Sequence, residues 1–137
     1  VTINAATEIL PLLGSKEGIL HLSMAFLNAG DKVLVPNPGY PTYSSNANLV
    51  EADIMYYDLK DENNWQPDLE AIQKHDLTKV KIMWLNYPHM PTGTPADPEV
   101  LKQIETSAGG FVELHKARPI ESMLTTIAKA NCTPRPR

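Results

Sequence analysis

The residues best suited to chemistry stand in a short turn, Gly14-Ser15-Lys16, that runs straight into an apolar helical pattern. Free backbone N–H groups at a helix start, a hydroxyl and a cation converge there, and that combination suits an anion. An ordinary Ser N-cap accounts for the same residues. Other groupings are weaker. Glu17 and His21 sit at i,i+4 on one helix face, but without a third ligand they read as a surface pair, and no metal site is assigned. Ser15, Ser23 and Ser44 lack a Gly-x-Ser-x-Gly context, so acyl-transfer chemistry has no support. The turn from Gly14 to Gly18 lacks the nucleotide P-loop spacing, and no Gly-x-Gly-x-x-Gly occurs. Asp61-Glu62, Lys79 and Lys81 read as solvated faces.

These residues need elements to hold them. Val1 to Leu13 is expected to be an extended lead-in, because Pro11 interrupts any helix. From Lys16 the apolar positions Ile19, Leu20, Leu22, Phe26 and Leu27 recur at helical spacing, and Asn28-Ala29-Gly30 supplies a stop. Lys32 to Val35 is a short β-branched run closed by Pro36, and the turn-rich stretch from Pro36 to Pro41 follows. Thr42 to Leu49 reads as a helix, Ala52 to Leu59 as a strand and Lys60 to Gln66 as a polar loop. Pro67 opens a helix to about Lys74, and Val80 to Leu85 is a third strand. Asp97-Pro98 opens a further helix to about Thr106. Ser107 to Gly110 is a break. Phe111 to Lys116 and Ile120 to Lys129 are expected to be helices, with a disordered tail from Thr133 to Arg137.

Alternation of strands and helices predicts an α/β fold, a mainly parallel sheet flanked by helices. Ligands in such sheets bind beyond the carboxyl ends of the strands. Two loops occupy that position, Pro36 to Pro41 and Asn86 to Thr94, and each contains a tyrosine.

Composition bounds the rest. The 137 residues are 42% hydrophobic and 20% charged, enough for one domain with a core of its own. A formal charge of −4 with no Lys/Arg cluster argues against nucleic acid as partner. No apolar run approaches the roughly 20 residues of a membrane span, so no membrane role is expected. The N-terminus lacks the pattern of a signal peptide, and the single cysteine, Cys132, fits a reducing compartment. A cytoplasmic location is therefore expected.

The ordered set Leu13-Gly14-Ser15-Lys16-Glu17-Gly18, Gly30 to Tyr43 and Asn86-Tyr87-Pro88-His89-Met90-Pro91-Thr92-Gly93 resembles the pyridoxal-phosphate-dependent aminotransferases of classes I and II, fold type I. The likeness covers about residues 7 to 105. It implies that Gly14, Ser15 and Lys16 hold the phosphate of pyridoxal phosphate, that Tyr40 stacks on its pyridine ring, and that Asn86 belongs to the loop the family writes Asn-x-Pro-x-Asn-Pro-Thr-Gly. A loop tyrosine packed on the core and the turn chemistry of Pro91 and Gly93 are the plainer readings of the same residues.

Two departures matter. Met90 stands where the usual motif has the asparagine that meets the cofactor's phenolic oxygen, and a thioether is only a weak acceptor. His89, beside it, could donate a hydrogen bond, although a loop histidine without function is the simpler reading. After Gly93 there is no Asp-x-x-Tyr segment and no lysine in the setting that holds the cofactor as a Schiff base; Lys129, three residues after the Thr126 hydroxyl, lacks the family's small-residue pattern, comes too soon after Gly93 and reads as a solvated helix lysine. No catalytic residue is assigned.

The resemblance thus implies a truncated aminotransferase chain. Residues 1–106 would be part of the large, cofactor-binding domain and residues 107–137 a divergent segment. Its reaction would move an amino group between an amino acid and a 2-oxo acid, although this chain alone is expected to be inactive. The alternative is a non-catalytic, phosphate- or partner-binding fragment of the same fold. Homodimers are usual in the family, and an incomplete sheet also favours self-association.

Overall fold

The computed structural model describes residues 4–7, 9 and 11–107 with their side chains, and residues 124–129 as backbone. In chain order the elements are α1 (Ser15–Phe26), β1 (Lys32–Asn37), α2 (Thr42–Leu49), β2 (Asp53–Asp58), a 3-10 turn (Asp61–Asn63), α3 (Leu69–Gln73), β3 (Val80–Tyr87), α4 (Pro98–Ser107) and β4 (Leu124–Lys129). The strands form one sheet in the order β2-β1-β3-β4. β1 runs parallel to both β2 and β3, whereas β4 lies antiparallel to β3, with Trp84 opposite Ile127.

The central strands carry apolar runs, Val33 to Pro36 in β1 and Ile82 to Leu85 in β3, because both of their faces are covered there. On one face Val33 and Val35 of β1 and Ile82 and Trp84 of β3 pack with Ile19 and Leu27 and with Tyr43 and Ala47 of α2. On the other, Leu34, Met83, Leu85 and Tyr87 pack with Ile72 of α3 and Ile104 of α4. Successive strand residues point to opposite faces, so a run such as Ile82-Met83-Trp84-Leu85 feeds both cores in turn. Within α1, Ser23 is wholly buried, and its hydroxyl donates to the carbonyl of Ile19 at 2.8 Å. That back-bond makes a buried polar residue acceptable inside a helix.

The chain's path fixes where a ligand would go. Only five residues, 27–31, link α1 to β1, so α1 must run antiparallel to β1, and its N-terminus lies at the carboxyl edge of the sheet. From β1 the chain steps outward to β2, then returns across β1 to place β3 on its other side. A change of direction of this kind opens a crevice beyond the carboxyl ends of the two strands that flank it, here β1 and β3. Pairing between these strands extends only as far as Leu34 with Met83, so they part company beyond that point. Pro36 sits past the last of these pairs, where its missing N–H costs no β1–β3 ladder bond.

Several expectations need correction. The segment Leu124–Lys129 is a strand, not part of a helix. Its Leu-Thr-Thr-Ile core is rich in β-branched residues, which fit a pleated strand better than a helix. Residues 4–7 form a turn and not an extended lead-in: the Asn4 side chain accepts from the Ala6 N–H at 3.0 Å, and the Asn4 carbonyl from the Thr7 N–H at 3.2 Å. The third helix begins later than Pro67, because Asp68 caps it by accepting from the Ala71 N–H at 3.0 Å. β1 and β3 each continue two residues further than expected, to Asn37 and Tyr87. Val1 to Ile3, Glu8, Leu10, most of the break after Ser107, the expected helix from Phe111 to Lys116 and the tail from Thr133 lie outside the described residues.

Candidate functional site

The turn that opens α1 is exposed, and no side chain caps it: Gly14 stands at the N-cap and contributes no capping oxygen. Glycine is not demanded there by backbone geometry. Its φ of 171° is ordinary extended chain, and an added Cβ would meet no protein atom within 4 Å. The first intrahelical bond runs from the Glu17 N–H to the Gly14 carbonyl at 3.2 Å, which leaves the N–H groups of Ser15 and Lys16 directed out of the helix end. The Glu17 carboxylate folds back to accept from the Leu13 N–H at 2.7 Å, and it lies 4.0 Å from His21. Both of these side chains are substantially exposed, as a surface pair should be. No group of three or more metal-ligating side chains occurs among the described residues.

Lys16 turns toward the second component. Its ammonium lies over the Tyr40 ring, 5.8 Å from the centroid. Tyr40 is itself held by a series of aromatics. Its ring meets Tyr43 edge to face at 5.8 Å and 86°, and Tyr43 stacks on Trp84 at 5.0 Å and 12°. Trp84 and Tyr43 are almost wholly buried, so the half-buried Tyr40 is the outermost member of a column rooted in the core. The neighbouring glycine has a steric reason. A Cβ on Gly39 would come within 2.4 Å of the Pro36 carbonyl oxygen, so the loop can fold this tightly only with glycine at that position.

Asn86 stands one residue before the end of β3 and is 6% exposed, at the same carboxyl edge. No hydrogen bond or ring contact joins it to Lys16 or Tyr40 among the described residues. Beyond it, Gly93 adopts a φ of 78°, and its N–H closes the loop onto the His89 carbonyl at 2.6 Å. Gly is the natural occupant of that left-handed conformation. Met90 is partly exposed and forms none of the hydrogen bonds found in this loop.

Sequence reasoning undervalued His89 and overlooked Gln66. His89 is 2% exposed and binds partners through both ring nitrogens, Thr92 Oγ1 at 2.8 Å and the Pro38 carbonyl at 3.1 Å. Gln66, also buried, donates to the Pro95 carbonyl at 3.0 Å and accepts from the Asp97 N–H at 3.1 Å. Tyr87 donates to the Trp65 carbonyl at 2.8 Å, and burial pushes its phenol well above the usual range. The three loops at the carboxyl edge are thereby fastened to one another. The only sequence signal was a histidine and a glutamine among turn residues, and the partners that tie the loops together, Pro38 for His89 and Pro95 and Asp97 for Gln66, lie far away in the chain.

Of the residues singled out from the sequence, the fold brings Lys16 and Tyr40 into contact, and it sets Asn86 on the strand that flanks the same crevice. Similarity to known proteins falls on this same region. Residues 1–112 match the family described as aminotransferase class I and II. This chain belongs to that family. It is 48% identical over 103 residues to an LL-diaminopimelate aminotransferase of Dehalococcoides mccartyi and 46% identical over 97 residues to transaminase BacF of Bacillus subtilis. These alignments cover 75% and 71% of this chain but 26% and 24% of the relatives, so the chain spans about a quarter of their length. Among solved structures, apo-BacF of Bacillus subtilis superposes with a TM-score of 0.73 at 42% identity, covering 79% of this chain and 28% of that one. An alanine aminotransferase of Pyrococcus furiosus gives 0.66 at 31% identity, over 70% and 24%. The fold is thus that of part of an aminotransferase large domain, and the family depends on pyridoxal phosphate.

The residues present fit that cofactor in two of three respects. The uncapped start of α1, with the Ser15 hydroxyl and Lys16 ammonium beside it, offers the donors a phosphate requires. Tyr40 offers a flat aromatic face braced from below. Met90 does not fit the third, because its thioether cannot donate to a phenolic oxygen.

Proposed function

We propose that these residues form the cofactor-holding part of an aminotransferase that moves an amino group between an amino acid and a 2-oxo acid. Gly14, Ser15 and Lys16 bind the phosphate, Tyr40 carries the ring, and Asn86 contributes an amide at the ring's edge. When bound, pyridoxal phosphate supplies an electron sink for the substrate's α-carbon. The protein's own part is to anchor, orient and shield. The helix end and Lys16 neutralise the phosphate, Gly14 keeps its side of the turn open to close approach, and the Tyr40–Tyr43–Trp84 column fixes the height of the ring platform. Contact between Lys16 and Tyr40 is the observation that carries this reading, since it unites an anion site and an aromatic platform that lie in separate motifs.

Within these 137 residues nothing after Gly93 matches the lysine or the Asp-x-x-Tyr segment that the family's chemistry requires, so we propose that this chain by itself binds without turnover. Residues 1–106 are then the cofactor-binding portion and 107–137 a divergent extension, in a cytoplasmic protein that self-associates as family members do. The relatives named above suggest a dicarboxylic or other amino-acid substrate of the whole enzyme.

The test is an amide-resolved NMR titration of the chain with inorganic phosphate and with pyridoxamine 5′-phosphate. Both ligands should move the Ser15, Lys16 and Glu17 amides, and only the second should also move Tyr40 and Asn86. Shifts spread over the surface without either cluster would refute the assignment.

A further inference from the structure

The loop histidine next to Met90 performs a task that its motif does not assign. The Pro38 carbonyl can only accept a hydrogen bond, so the His89 nitrogen 3.1 Å from it, Nε2, must carry a proton. In the neutral ring Nδ1 is then an acceptor, and the Thr92 hydroxyl 2.8 Å away donates to it. Thr92 Oγ1 lies in turn 3.0 Å from Thr94 Oγ1, so the Thr94 hydroxyl can donate and complete a one-way series: Thr94 to Thr92 to His89 to Pro38. The ring plane is fixed as well. Trp65 stacks on it at 6.0 Å and 16°, and Tyr87 leans on it at 6.2 Å and 46°.

The carbonyl at the end of this series belongs to the residue two before Tyr40, and the link spans 51 positions of sequence. Between them stands Gly39, folded tightly onto the Pro36 carbonyl. Tyr40 is braced from the core side by Tyr43, but its loop is held to the loop after β3 through His89. We propose that His89, as the Nε2–H tautomer, is a positioning residue that clamps the Pro38 carbonyl and so sets the place of the Tyr40 ring relative to β3. Its consequence for ligand binding rests on the proposed reading of Tyr40 as the ring platform; the clamp itself does not.

The rival account is that His89 merely fills space between Trp65 and Tyr87. Three variants separate the two. H89F keeps a flat ring and loses both hydrogen bonds; H89Q keeps an N–H able to reach Pro38; H89N keeps a nitrogen near the Nδ1 position but falls short of Pro38. In the ligand-free 137-residue chain, long-range proton–nitrogen spectra should show the neutral His89 ring as the Nε2–H tautomer. Nitrogen relaxation should show added motion at Gly39 and Tyr40 in H89F and H89N and its recovery in H89Q. Affinity for pyridoxamine 5′-phosphate should then fall about tenfold in H89F, with that for inorganic phosphate unchanged and H89Q restored.

Protonation at Nδ1 instead of Nε2, or quiet Gly39 and Tyr40 amides in H89F and H89N, would overturn the clamp. Should H89F fail to fold, the tautomer and the contrast between H89Q and H89N still decide it. Should the wild-type chain bind no pyridoxamine 5′-phosphate, the cofactor reading fails, while the ligand-free measurements still judge the clamp.

Discussion

Lys16 and Tyr40 show how much at this site depends on single side chains. Each has an unremarkable local setting, one at an exposed helix start and the other in a proline-rich loop, and the contact between them appears only when α1 folds back along β1. Lys16 was legible from a local pattern, a Gly-Ser-Lys turn before an apolar helix, whereas Tyr40 was only a tyrosine in a turn-rich loop until the family resemblance implied its stacking role. The support beneath them was not legible. Tyr43 and Trp84 read simply as apolar positions of a helix and a strand, and nothing in one sequence says that their rings stack. Gly39 offers the sharpest check at this scale. Replacement by Ala forces its Cβ against the Pro36 carbonyl, so G39A should destabilise the fold by about 1–3 kcal/mol, seen as a lower denaturant midpoint. G14A, with no protein atom near its new Cβ, should leave that midpoint almost unchanged. Equal midpoints for G39A and wild type would show that the loop is not folded this tightly.

At the scale of elements, the strands and helices that hold the site follow from patterns visible in the chain: unbroken apolar runs in β1 and β3, helical spacing in α1, and Asp-Pro at the start of α4. Misjudgements came where two readings compete locally. Leu124–Lys129 carries both helix-compatible and β-branched residues, and pairing along the free edge of β3 decides in favour of a strand. Asp68 shortens α3 because its carboxylate is the better cap. How the elements are joined also carries a pH dependence. Tyr57 of β2 donates from its buried phenol to the Trp84 carbonyl of β3, and Tyr87 donates to the Trp65 carbonyl. Desolvation by burial raises both phenols well above their ordinary value. A group raised in the folded state stabilises fully below its unfolded pKa, about 10 for tyrosine, and that contribution disappears as pH climbs toward the folded value. Stability should therefore decline above about pH 10, and Y57F should flatten the decline in an alkaline denaturation series. A Y57F curve parallel to wild type would assign the loss to other groups.

For the molecule as a whole, the switch of chain direction between β1 and β3 is the organising fact, since it leaves the loops that follow these strands and the start of α1 at one edge of the sheet. That much follows from strand order, which a sequence of alternating elements suggests but does not specify. The described surface also bears large apolar side chains, Leu13 at 99% exposure, Leu49 at 67% and Met24 at 61%, in a chain that spans about a quarter of its relatives. Exposure of this extent accords with the proposal that the chain associates.

The central claim is that one crevice holds a phosphate at the start of α1 and an aromatic ring over Tyr40, and calorimetric titration of two variants tests it most directly. In K16A, affinity for inorganic phosphate and for pyridoxamine 5′-phosphate should both fall about tenfold, the loss of one charge-assisted contact. In Y40A, affinity for inorganic phosphate should hold while that for pyridoxamine 5′-phosphate falls. Binding of either ligand that is indifferent to K16A, or a Y40A variant that binds both as wild type does, would contradict the account.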